Sequence, residues 1–132
     1  MTTIITDGKS QEWQDSADLL RILSPLQSNR LKGPLPYKEI LGDKQSACSI
    51  YRASPRKGTV VEDWHYDIDE FIYFLKGRMR VEDYDDGKTH IAKEGDLLLH
   101  KKGSRLKQIF EEDCETICWV VPKYDPSQDL PL

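Results

Sequence analysis

The sequence has no apolar run that approaches the roughly 20 residues a membrane-spanning helix needs. Residues Met1 to Ser10 lack the charged start and apolar centre of a secretory signal, so a cytoplasmic chain with no membrane contact is expected. Cysteine is sparse and unpaired in pattern. Cys48, Cys114 and Cys118 are odd in number and contain no Cys-x-x-Cys, which argues against a disulfide framework. They read as reduced, buried thiols, and Cys114 with Cys118 as core packing before a zinc site. Positive charge is not in excess. Lys and Arg total 19 against 23 Asp and Glu, for a net charge of −4, and no general case for nucleic acid follows. No internal repeat is visible, and no stretch is long and polar enough to serve as a linker between domains.

What is present suits a single globular domain over residues 1–132. Hydrophobic residues make up 38%, with three Trp, six Tyr and three Phe, too many for a disordered chain. Residues 1–39 read as an arm with a short helix, 40–122 as the strand-bearing body, and 123–132 as a surface tail. In the arm, Ile4 and Ile5 are expected to add an edge strand. Asp15 is an N-cap candidate, Trp13, Ala17 and Leu20 lie at helical spacing, and Pro25 ends the element. Strands are expected at Ala47–Ala53, Arg78–Tyr84, Thr89–Ala92, Leu97–His100, Arg105–Phe110 and Cys114–Val121. Leu97–His100 reads as a buried strand. Asp85-Asp86-Gly87-Lys88 predicts a hairpin with a type I′ turn. Short strands with turns at this spacing predict an all-β sandwich or barrel.

The stretch from Gly58 to Gly77 carries the chemistry. Alternation places Trp64, Tyr66 and Glu70 on one face of an extended strand. Glu70 is followed at once by Phe71-Ile72-Tyr73-Phe74-Leu75. A carboxylate at the mouth of such a run is either at a rim or held inside for a reason.

This stretch resembles the first motif of the cupins, in which glycine, a His-x-His pair, glutamate and a second glycine recur at set intervals. Gly58, Glu70 and Gly77 stand at those intervals, with Trp64 and Tyr66 in the two histidine positions. The second cupin motif is similar to Gly95-Asp96 and Gly103, with Lys101 in place of its proline and Leu106 in place of its histidine. The resemblance covers roughly residues 40–122 and is greatest to the ethanolamine-utilisation cupins. It implies a double-stranded β-helix, the jelly-roll barrel, with a short N-terminal helix. It also implies service in small-metabolite catabolism, and a homodimer formed through sheet edges and the N-terminal arm.

A metal-binding cupin needs three neutral imidazoles and a carboxylate, and only Glu70 is kept here. His65 is one residue off register and is expected to point away from Trp64 and Tyr66. A set of His65, Asp67 and His90 requires a register slip that reverses the whole strand. These histidines and His100 therefore read as surface or rim residues, and neither metal nor cofactor is expected. Burial raises the pKa of a lone carboxylate. Glu70 and Tyr66 thus become the catalytic candidates for metal-independent isomerase, lyase or dehydratase chemistry. Tyr51, Trp64, Leu106, Gln108, Phe110 and Trp119 are the candidate ligand-binding walls for a compact organic molecule. Two other readings stand beside this one: a metal-dependent enzyme with atypical ligands, and a non-catalytic partner protein whose barrel is filled. The basic run Lys101 to Lys107 is either an anion contact or a solvated turn.

Overall fold

The computed structural model describes residues 3–18, 25–43, 45–66 and 68–121. These form two antiparallel sheets. The first runs β1 (Gln14–Asp15), β3 (Pro36–Leu41), β4 (Ile50–Ala53), β11 (Glu115–Val121), β6 (Asp69–Lys76), β9 (Leu97–His100) in spatial order. The second runs β2 (Leu31–Lys32), β5 (Val60–His65), β10 (Arg105–Phe110), β7 (Arg78–Asp83), β8 (Thr89–Lys93). The order of strands in the two sheets is that of a jelly roll, as expected for a cupin. Val61, Met79, Leu106 and Phe110 of the second sheet are buried in one core with Ile72 and Phe74 of the first. Full burial of a side chain such as Phe74 contributes about 1.5–3 kcal/mol.

Gly58 to Gly77 is not one strand. It divides into β5 and β6, which lie in different sheets. Two residues of β5, Glu62 and Asp63, face one residue of β10 between the Val61–Gln108 and Trp64–Leu106 pairs. Asp63 has φ of 47°, the left-handed conformation of a bulge residue. The bulge lets Val61 and Trp64, three apart, both turn inward. Arg105 holds Asp63 in place, with its Nη2 at 2.8 and 2.9 Å from the two carboxylate oxygens.

Other local expectations also change. Ile4 and Ile5 form no strand and are exposed, and Gln14–Asp15 takes the edge beside β3. Asp15 does cap a helical start, accepting the Ala17 N–H at 2.9 Å, with Ser16 to Asp18 helical. Leu20 and the tail 123–132 lie outside the described residues. Pro25 opens a helical turn, α1 (Pro25–Ser28), a position where its missing N–H costs nothing. Pro36–Leu41, whose first four residues were assigned to the arm, is a full strand. The hairpin at Gly87 is a longer loop than type I′ allows. Gly87 N–H donates to Asp83 O, and the Asp83 carboxylate takes the N–H of Asp85 at 2.8 Å. Leu97–His100 is the outer strand of its sheet, so Leu97 is 72% exposed while His100 is 3% exposed.

Candidate functional site

Between the sheets lies a cavity of about 260 Å³. For scale, a dry cavity of about 150 Å³ admits benzene. Its walls include Tyr51 from β4, Trp64 from β5, Tyr66 from the β5–β6 link, Glu70 from β6, and Gln108 and Phe110 from β10. Pairing explains why these meet. Glu70 stands opposite Val120 of β11 and His100 of β9, and Tyr51 stands opposite Cys118. Alternation from those registers sends Tyr51, Cys118, Glu70 and His100 to the inner face.

Four polar groups form a chain along this wall. The Tyr66 hydroxyl donates to Glu70 Oε1 at 2.8 Å. The Gln108 amide nitrogen lies 3.1 Å from Tyr66 Oη and 2.8 Å from His100 Nε2, so its two N–H groups serve both neighbours. His100 Nε2 therefore accepts, which places the ring proton on Nδ1 and leaves the imidazole neutral. The His100 ring packs 4.8 Å from that of Tyr66. Burial pushes His100 down to about 4. Burial pushes Glu70 up to about 7, against the hydrogen bond from Tyr66, which lowers it. Burial and the Glu70 charge raise the Tyr66 phenol well above its ordinary range, and the same two causes raise the Cys118 thiol. A carboxyl poised near neutrality, hydrogen-bonded to a phenol that stays protonated, can take up or release a proton.

The structure brings Glu70, Tyr66, Tyr51, Trp64, Gln108 and Phe110 to one cavity. Leu106 is placed otherwise, 2% exposed in the apolar core and not on the cavity wall. Trp119 borders the cavity, yet its register with Phe71 and Ile50 sets it on the outer face of β11. There its ring stacks on Phe71 at 5.4 Å. His100 is the residue that sequence reasoning missed. Its place beside the Lys101 turn suggested a rim position, but alternation with Leu98 along β9 is the signal that turns it inward. His65 sits at the cavity rim, 3.4 Å from Asp63 Oδ1. His90 is exposed on β8, separated from β5 by the two strands β10 and β7, and contacts Asp86 at 3.0 Å. Asp67 lies outside the described residues.

The basic run serves the site indirectly. Gly103 N–H donates to Tyr66 O, Tyr66 N–H donates to Ser104 O, and Lys102 N–H donates to Asp69 Oδ1. Arg105 is paired with Asp63, and Lys107 with Glu62 at 3.5 Å. The turn thus clamps the backbone of Tyr66.

The residues do not fit the metal centre that the cupin fold implies. Trp64, Tyr66 and Leu106 occupy the imidazole positions and offer no ring nitrogen that could bind a metal. The imidazole paired across the sheet with Glu70, that of His100, has its Nε2 committed to Gln108, and His65 faces the Asp63 carboxylate. Among the described residues, one group of three has metal-ligand spacing, namely Asp83, Asp86 and His90. None of these lines the cavity.

Residues 45–117 match the family described as the EutQ-like cupin domain. No curated protein matches the sequence. The fold is similar to that of EutQ from Clostridium difficile, at 23% identity over 74% of this chain and 69% of that one, with a TM-score of 0.62. It is similar to a putative ethanolamine utilization protein from Salmonella typhimurium, at 22% identity over 67% and 70%, TM-score 0.58. It is also similar to a predicted oxalate decarboxylase from Thermotoga maritima, at 16% identity over 90% and 99%, TM-score 0.70.

Proposed function

The chain belongs to the EutQ-like cupin family, and on that premise we propose that it binds a compact organic metabolite inside its barrel and performs metal-independent acid/base chemistry on it. The observation that carries this reading is the 2.8 Å hydrogen bond from Tyr66 to Glu70 at the wall of a largely apolar cavity. Glu70 in its ionised form takes a proton from the bound molecule and returns it either at a second carbon, the outline of an isomerase step, or to a departing hydroxyl as its bond to the neighbouring carbon breaks, the outline of a lyase step. As Glu70 takes that proton it no longer needs the Tyr66 O–H, and Tyr66, its oxygen supported by the Gln108 amide, turns its hydroxyl proton to a developing oxyanion. Trp64, Tyr51 and Phe110 supply apolar surface that holds the molecule and keeps water out.

A thermal-shift survey of compact metabolites tests this. A ligand at 100 times its Kd stabilises the fold by about 2.7 kcal/mol. Glu70→Gln and Tyr66→Phe, both still folded, are expected to abolish turnover of any ligand so found and to alter its affinity at least tenfold. Turnover and affinity unchanged in both variants would overturn the assignment.

Two further features go with this reading. A cytoplasmic location is supported by three cysteines that are all free. Assembly as a homodimer is supported by β9, an edge strand whose Leu97 and Leu99 are exposed. Acidic Glu94 and Asp96 precede this strand and basic Lys101 and Lys102 follow it. Antiparallel pairing with the same strand of a second copy therefore sets acid against base at both ends.

A further inference from the structure

The charges around the cavity are one-sided. Among the described residues that line it there is no lysine and no arginine, and Glu70 is the sole carboxylate. We propose that the cavity takes a small organic cation, an ammonium group carried on a mostly apolar body, and turns away carboxylates and phosphates. This rests on the reading of the cavity as a binding site and deepens it by naming the ligand class.

Each element packed around Glu70 fails to supply it with a positive partner. From the β5–β6 link comes Tyr66, a phenol that donates one hydrogen bond. From β9 comes His100, whose Nε2 accepts from Gln108 and whose ring is neutral near pH 7. From β10 comes Gln108, with both amide protons already directed to Tyr66 and His100. From β11 come Val120 and the Cys118 thiol, and from β4 Tyr51, none of them cationic. His65 at the rim faces the Asp63 carboxylate, which also holds Arg105. Lys107 is held by Glu62. Arg105 and Lys107 are thus tied to acids, as are Arg52 and Arg56 with Glu115, and none of the four lines the cavity.

A carboxylate withdrawn from water without a counter-charge is unfavourable, and an arriving cation removes that cost. An arriving anion finds no donor of positive charge and is repelled by Glu70. The aromatic residues around the cavity, Trp64, Tyr51 and Phe110 among them, add attraction for a cation over their ring faces. Because the cation pairs with the ionised form of Glu70, binding releases a proton wherever Glu70 is protonated in the free protein. Affinity for a cation therefore falls as pH drops below 7, while affinity for a neutral molecule does not.

Calorimetric titration of the full chain with benzylamine, benzyl alcohol and benzoate tests this, since the three differ chiefly in charge. The amine stays protonated between pH 6 and 8. The expected result is tightest binding for benzylamine, weaker binding for benzyl alcohol and none for benzoate. The amine's affinity should fall about tenfold from pH 8 to pH 6, with a matching proton release measured in two buffers of different ionisation heat. In Glu70→Gln the amine loses both its advantage over the alcohol and its pH dependence. Should that variant not fold, the pH dependence of the unaltered chain decides. Equal binding of amine and alcohol, or binding of benzoate, overturns the ligand class and leaves the binding site standing. Failure of all three to bind overturns both.

Discussion

Near neutral pH the Glu70 carboxyl stands between its two protonation states, because burial has pushed it up to about 7. An unfolded glutamate titrates near 4.3. The folded value is the higher one, so the stability that Glu70 contributes is complete below about 4.3 and is lost as pH rises through 7. Glutamine cannot ionise and can still accept the Tyr66 hydroxyl. Glu70→Gln is therefore expected to be more stable than the unaltered chain at pH 8, by on the order of 2 kcal/mol. By pH 5 the difference should largely disappear. Urea unfolding at the two pH values checks this, and a gap that is the same at both contradicts the burial of the carboxyl. His100 works in the opposite sense. Its folded value, about 4, lies below its ordinary one. Its contribution is therefore present above about 6.5 and lost as pH falls toward 4.

At the scale of strands and turns, the glycines of the motif were legible in the sequence because their roles are local. Gly77 joins β6 to β7 at φ 96°, and a Cβ there would lie 2.6 Å from both Asp113 O and Cys114 Sγ. Gly87 also has a positive φ, 68°, but open space around it. Gly87→Ala is expected to cost about 1 kcal/mol for conformation alone. Gly77→Ala adds the clash and should cost well over 2 kcal/mol or prevent folding, as urea midpoints would show. Equal costs for the two would contradict the close approach at Gly77. The β5 bulge was not legible, because a period of two carries no sign of an extra residue at Asp63. Reading one strand from Gly58 to Gly77 still placed Trp64, Tyr66 and Glu70 together, since β5, the link that carries Tyr66, and β6 all contribute to the cavity wall. Leu106 was assigned to the wall because alternation identifies the inner face but not how deep along it the cavity reaches. Trp119 was assigned inward on its aromatic character, and pairing with Phe71 shows the opposite face. Tertiary pairing, which the sequence does not state, decided both.

For the molecule as a whole, the edge strand β9 and the interior cavity are separate features with separate tests. Light scattering is expected to give twice the 15.3 kDa chain mass. Leu97→Lys with Leu99→Lys should return a folded monomer, because charges along an edge oppose pairing. A monomer before any substitution would contradict assembly through that edge. The site is built on the carboxyl of Glu70, enclosed in the barrel and bonded to Tyr66. The direct measurement is a carbon NMR titration of the Glu70 side-chain carboxyl, in the unaltered chain and in Tyr66→Phe. The predicted midpoint is about 7, moving higher in Tyr66→Phe as the hydrogen bond to the ionised form is lost. A midpoint near 4.3 in both would show a carboxyl bathed in water, and would contradict the site.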